Sequence, residues 1–155
     1  MAQQLWLLRH GDAEPHGVRP DADRRLTERG EAQSRAAGKA LAAIAVDFDA
    51  ILTSPRVRAR DTARLGAEPL GVTPQDHESL GGGFSREDAL EVLSAYGPDA
   101  KVLLVGHEPD FSQLIHDFTG GRAEMKKGGV AAMRIARGAG DLLVLLRPRE
   151  IELIG

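Results

Sequence analysis

Apolar and polar positions alternate along this chain in blocks that change period from two to about three and a half. Gln4–Arg9 is a short apolar run closed by glycine, which predicts a buried strand. Asp12–Arg25 is polar, carries Pro15, Gly17 and Pro20, and reads as a loop. Thr27, preceded by Leu26, is placed to cap an Ala-rich helix reaching about Ala45. Asp49–Thr53 predicts a second strand, and Ser54-Pro55 predicts a cap and first helical residue for a helix to about Leu65. A weak strand follows near Val72–Glu78. Gly81–Gly83 comes next, either a flap or a plain surface loop, and then a helix opened by Ser85 that ends near Gly97-Pro98. Lys101–Gly106 contains an uninterrupted Val-Leu-Leu-Val, the pattern of a strand buried on both faces. Phe111, Leu114, Ile115 and Phe118 then mark one face of a helix stopped by Gly120-Gly121. Val130–Ile135 and Leu142–Leu146 form a hairpin through Arg137–Gly140. This alternation predicts an α/β fold of three layers, with a mostly parallel central sheet and one antiparallel edge strand.

No repeat or linker interrupts the pattern, so the 155 residues are read as a single domain spanning 1–155. No apolar stretch is long enough to cross a bilayer, and the apolar start is cut short by Arg9-His10-Gly11-Asp12 without a basic segment before it. A cytoplasmic protein without membrane attachment is expected. A net charge of −3 argues against a nucleic-acid partner. Cysteine is absent, which removes disulfide frameworks, thiolate metal sites and cysteine nucleophiles. Of the 20 basic residues 16 are arginine, a skew that fits either phosphate recognition or codon usage.

Chemistry gathers past the carboxyl ends of three predicted strands: Arg9-His10-Gly11, Ser54-Pro55-Arg56-Val57-Arg58 and Gly106-His107-Glu108. That edge is where ligands bind in open α/β sheets. A neutral imidazole can attack a phosphoryl group, and arginines can meet its oxygens with paired donors. Glycine at position 11 would let backbone approach the phosphate closely. On the helix after Ser54, Arg58 and Thr62 share one side and Arg56 and Arg60 lie roughly opposite, so only one set can face the sheet edge. The motif described next selects Arg58, which leaves Arg56, Arg60 and Arg64 expected in solvent.

Arg9-His10-Gly11, Leu26-Thr27-x-x-Gly30-x-x-Gln33, Ser54-Pro55-x-x-Arg58-Ala59-x-x-Thr62 and Val105-Gly106-His107 together resemble the histidine phosphatase (phosphoglycerate-mutase-like) superfamily. The string Arg9-His10-Gly11-Asp12-Ala13 and the short chain resemble its SixA-type phosphohistidine phosphatases. The resemblance implies His10 as the phosphorylated nucleophile, Arg9 and Arg58 on the phosphoryl oxygens, His107 completing the pocket, and Arg24 as a further phosphate contact. Gly11 and Asp12 are expected to take part in substrate binding. Larger relatives place a glutamate acid after the third strand, where Ser79 aligns here. Glu78 could fill that role through a one-residue shift, and Asp12 is another candidate. A weak acid suits a phosphohistidine substrate, whose imidazole leaves far more readily than an alkoxide.

The expected activity is thus hydrolysis of phosphohistidine, on a protein, through a covalent intermediate. A small phosphate compound hydrolysed by the same nucleophile is the alternative, and a silent phosphate-binding module is a third. Neither cofactor nor metal is expected, because Arg9 and Arg58 make a cation site from His10, Asp12 and His107 electrostatically poor. His16, His77 and His116 receive no role. A monomer is expected, with only Ala67–Asp88 to roof the site.

Overall fold

A computed structural model describes residues 2–155. Eleven regular elements follow in order: β1 (Gln3–Arg9), α1 (Glu28–Ala43), β2 (Ala50–Thr53), α2 (Val57–Ala67), β3 (Gln75–Asp76), α3 (Arg86–Ser94), β4 (Lys101–Gly106), α4 (Asp110–Thr119), β5 (Val130–Ala136), β6 (Ala139–Leu146) and α5 (Pro148–Ile154). The six strands form one sheet in the order β3-β2-β4-β1-β5-β6. β1 to β4 pair in parallel, while β5 runs antiparallel to both of its neighbours. The single reversed strand therefore lies one position in from the edge, and β6 outside it points the same way as β1.

The period-two alternation of β1 explains the layering. Leu5 and Leu7 face one core with α3 and α4, while Trp6 and Leu8 face another with α1, α2 and α5. Side chains of successive strand residues point to opposite faces, so a strand covered by helices on both sides must be apolar throughout. Leu5, Leu7, Val102 and Leu104 are fully buried, and each such side chain stabilises the fold by about 2 kcal/mol. Among the described residues no helix is long and apolar enough to cross a membrane.

Local chemistry sets the helix ends. Thr27 Oγ1 accepts from the Gly30 amide at 3.1 Å and starts α1, and Ser85 and Asp88 cap α3 reciprocally. The helix expected to open at Ser54-Pro55 begins two residues later, with Arg56 at its cap. The Ser54 hydroxyl accepts from the Arg56 amide at 3.1 Å in the turn ahead of the helix, and it also meets the site described below. β3 keeps only two of the residues expected in it, because Val72 and Pro74 lie before its pairing with β2 and Glu78 already starts a 3-10 turn, Glu78–Gly81. α5 was not legible in the apolar pattern: its seven residues bury one side chain, Ile151.

Candidate active site

Strand register builds the site. Arg9 sits opposite Gly106 in the parallel pair β1–β4, so the next residues, His10 and His107, emerge side by side. Their ring centroids are 5.2 Å apart. Thr53 sits opposite Val105 in the β2–β4 pair, which places Ser54 against His107, and Ser54 Oγ and His107 Nε2 share a hydrogen bond of 2.8 Å. α2, leaving that strand, turns Arg58 inward, and Thr62 one turn on bonds the Arg58 carbonyl at 2.7 Å. Thr62 Oγ1 also accepts from the Gly11 amide at 3.1 Å, tying the residue after His10 to the same helix.

His10, His107, Arg9, Arg24 and Arg58 line one cavity of about 300 Å³. His10, His107, Arg24 and Arg58 are each less than a tenth exposed. The His10 Nδ1 lies 2.7 Å from its neighbour's carbonyl, that of Gly11. A carbonyl only accepts, so Nδ1 carries the proton and Nε2 keeps its lone pair. Burial lowers the His10 pKa to about 4; the Gly11 carbonyl opposes this, and the charges of Arg58, Arg9 and Lys127 push it down further. Burial likewise lowers His107 to about 3, with His10, Arg58 and Arg56 adding to the effect. Both imidazoles are neutral at pH 7. Burial also draws Arg9 and Arg58 below the ordinary arginine value, but arginine does not lose its proton in proteins.

Four buried side-chain nitrogens among the described residues have no hydrogen-bond partner: Arg9 Nε, Arg58 Nε, His107 Nδ1 and His77 Nδ1. Buried polar groups are nearly always paired, and an orphan needs an explanation. Three of these four belong to residues lining the one cavity. The cavity is thus a cationic pocket with unmet hydrogen-bonding capacity around a neutral histidine whose Nε2 lone pair is free.

A model of the histidine phosphatase superfamily (branch 1) matches residues 5–81. An uncharacterised protein of Picosynechococcus sp. is 36% identical over 139 residues, covering 84% of each chain. The chain belongs to the histidine phosphatase superfamily. Its fold is similar to that of the protein histidine phosphatase SixA complexed with tungstate, with a TM-score of 0.80 over 96% of this chain and 99% of that one at 23% identity. It is also similar to a mycobacterial glucosyl-3-phosphoglycerate phosphatase, with a TM-score of 0.76 over 95% of this chain and 100% of that one at 19% identity. At such identities the likeness speaks for the fold, which phosphatases of different substrates share.

Within this superfamily member the site residues expected from sequence divide into two groups. His10, His107, Arg9, Arg58 and Arg24 are brought together. Asp12 is not: it lines an adjoining groove, where Thr27 Oγ1 donates to its carboxylate at 2.8 Å and Lys127 Nζ lies at 3.4 Å. Glu78 does not line the cavity either; it is exposed and its charge acts on Arg60. Gly11 has a packing reason of its own to be glycine. A Cβ there would stand 2.5 Å from the Gly30 carbonyl, and one at Gly30 would stand 2.0 Å from the Asp12 carbonyl. The two glycines let the loop after β1 lie against the start of α1.

Arg56, expected in solvent, is half-buried instead: its Nε donates to the Gly81 carbonyl at 2.6 Å, and it pairs with Asp21. Asp21 was missed altogether. Its carboxylate also meets Arg24 Nε at 3.1 Å and Arg58 Nη2 at 3.3 Å, and its carbonyl accepts from Arg58 Nη1 at 2.8 Å. One acidic residue therefore gathers three arginines. Its only mark in the sequence is proximity to Arg24. Glu108, beside His107, lines the cavity as well, and its carboxylate accepts from the Ser112 amide at 2.7 Å and the Met125 amide at 3.4 Å. Arg9 Nη1 donates to the Met125 carbonyl at 2.8 Å, so both strand-end motifs hold the same loop residue. His16, to which no role was given, lies at the cavity lining with Nδ1 3.7 Å from Asp21.

Proposed function

We propose that this single-domain protein is a metal-independent phosphohistidine phosphatase in which His10 is the nucleophile. The observation that carries the reading is the cluster of unpartnered buried nitrogens, on Arg9, Arg58 and His107, around a neutral His10. A tetrahedral dianion supplies the missing acceptors. The tungstate held by the SixA structure is an oxyanion of that shape.

His10 Nε2 attacks phosphorus with its lone pair, forming a P–N bond as the substrate's own P–N bond breaks. The departing imidazole keeps the electron pair and takes a proton from water. A second water then attacks phosphorus, the bond to His10 breaks, and inorganic phosphate leaves. Arg9, Arg24 and Arg58 stabilise the charge spread over the phosphoryl oxygens. His107 adds a donor, and a dianion in the cavity raises its pKa by bringing opposite charge close.

The cavity carboxylates favour this substrate over an ester. Glu108 is engaged by two backbone amides, and Glu14 by Arg19 and the Arg25 amide. Neither is free to protonate an alkoxide, whereas an imidazole leaving group makes little demand on an acid. Substrate specificity is read directly by offering phosphohistidine and a panel of phosphate esters in excess chelator, to wild type and to His10→Ala. Phosphohistidine hydrolysis that is lost in His10→Ala is expected, with a phosphoenzyme trapped on His10. Turnover surviving in His10→Ala, or confined to esters, overturns the proposal.

A further inference from the structure

Beside the catalytic cavity lies a groove of about 540 Å³ that shares Arg9 and Lys127 with it. Its cations are Arg9, Arg29, Lys126, Lys127, Arg147 and Arg149, set against the carboxylates of Asp12 and Glu124. This is a local excess of four positive charges on a chain whose net charge is −3. Besides Arg9 at the end of β1, three segments remote in sequence supply it: the start of α1, the loop before β5, and the Arg147–Arg149 stretch that opens α5. A run of basic residues in one loop is commonly just solvated, but convergence of three segments on one groove is a property of the fold.

We propose that this groove binds acidic side chains flanking the phosphohistidine of a protein substrate, an inference that rests on the function proposed above. Five of the six cations are exposed, and their present partners are weak competitors. Lys127 faces Asp12 at 3.4 Å, Lys126 faces Glu124 at 3.0 Å, and Arg147 faces Glu150 at 2.9 Å, all at the surface. Exposed pairs of this kind are worth about 0–1 kcal/mol each, so incoming carboxylates can exchange with them. Exposed, flexible cations steer and orient a macromolecular partner rather than grip a small anion, which calls for buried, fixed donors like those in the cavity. No aromatic side chain lines the groove, so it lacks the stacking platform that single-stranded nucleic acid uses. The shared Arg9 and Lys127 make the groove continuous with the cavity, as a flanking subsite requires.

The test uses two synthetic phosphohistidine peptides of equal length, one with glutamates on both sides of the phosphohistidine and one with glutamines in their place. Each is offered to wild type and to the Lys126→Glu/Arg147→Glu/Arg149→Glu variant, with free phosphohistidine as the reference. At low salt, wild type is expected to prefer the glutamate peptide by about tenfold or more in kcat/KM, a preference that added salt erases. The triple variant loses the preference yet hydrolyses free phosphohistidine at the wild-type rate. Arg149→Gln, which leaves the Arg147–Glu150 pair intact, shifts the ratio in the same direction by less. Equal rates on the two peptides in wild type, or an undiminished preference in the triple variant, overturn the inference. If no phosphohistidine compound is turned over, the proposed function fails by itself. The groove is then judged by fluorescence anisotropy of the unphosphorylated, labelled glutamate peptide. Weaker binding to the triple variant upholds it; equal binding, or tighter binding of an oligothymidylate to wild type, overturns it.

Discussion

Acidification should unfold this protein through its active site, and the effect can be sized from the two histidines. An unfolded chain binds a proton on each histidine near pH 6.5, whereas folded His10 resists until about pH 4 and His107 until about pH 3. Between those values the unfolded state holds more protons, so stability falls as pH falls. It is intact above about pH 7 and drains away from pH 6.5 down to about pH 4 for His10 and about pH 3 for His107. At pH 4.5 each imidazole costs the folded state about 2 to 3 kcal/mol, and the pair about 5 kcal/mol, against a total stability of order 5–15 kcal/mol. Urea unfolding followed by far-UV circular dichroism at pH 7 and pH 4.5 measures the loss, and His10→Gln isolates one share of it. Glutamine keeps an amide donor for the Gly11 carbonyl but cannot titrate. Wild type should lose about 2 to 3 kcal/mol more than His10→Gln over this interval. Equal losses in the two proteins would mean that His10 titrates normally, and the account of its burial among arginines would be wrong.

Three substitutions probe the framework of the site. Asp21→Asn keeps size but removes the charge that gathers three arginines; kcat/KM for phosphohistidine should fall by about tenfold, while stability, measured by thermal unfolding, moves by no more than about 1 kcal/mol because the pairs are part-exposed. Ser54→Ala strips His107 Nε2 of its partner and should cost about 1–3 kcal/mol, with a fall in kcat larger than any change in KM. Gly30→Ala drives a Cβ against the Asp12 carbonyl, and a loss of about 1–3 kcal/mol, seen as a lower Tm, is expected.

What sequence could show was which residues end the strands; what it could not show was which strands are neighbours. His10 and His107 each follow an apolar run, but only the β1–β4 register makes them adjacent. Helix geometry put Arg58 and Thr62 on one side, since a 100° step per residue needs no tertiary information, but only the motif said that this side faces inward, where both are buried. The same rule misjudged Arg56. That residue lies at the cap rather than within the helix, so its direction follows from the turn before α2 and from Asp21. Asp21 itself was hidden in a polar stretch without periodicity. The stretch is pinned by the Ala13–Leu26 bridge and by Thr27 donating its amide to the Asp12 carbonyl at 3.0 Å, neither of which has a signature in one sequence. Glu78 lies off the cavity, in the 3-10 turn that follows the two-residue β3, a local geometry with no signature in the sequence. α5 escaped notice because one buried isoleucine in seven residues makes no pattern.

The parallel register that sets His10 beside His107 also makes the site a late product of folding. Parallel pairing of β1 with β4 closes a loop containing α1 to α3, and its entropy must be lost before the contact stabilises anything. Neither a nascent chain that stops before Lys101 nor a partly folded one lacking that pairing can assemble the two imidazoles and their arginines. The site therefore has no existence short of that pairing, and an early fragment of the chain carries the strand-end motifs without the arrangement that gives them their chemistry.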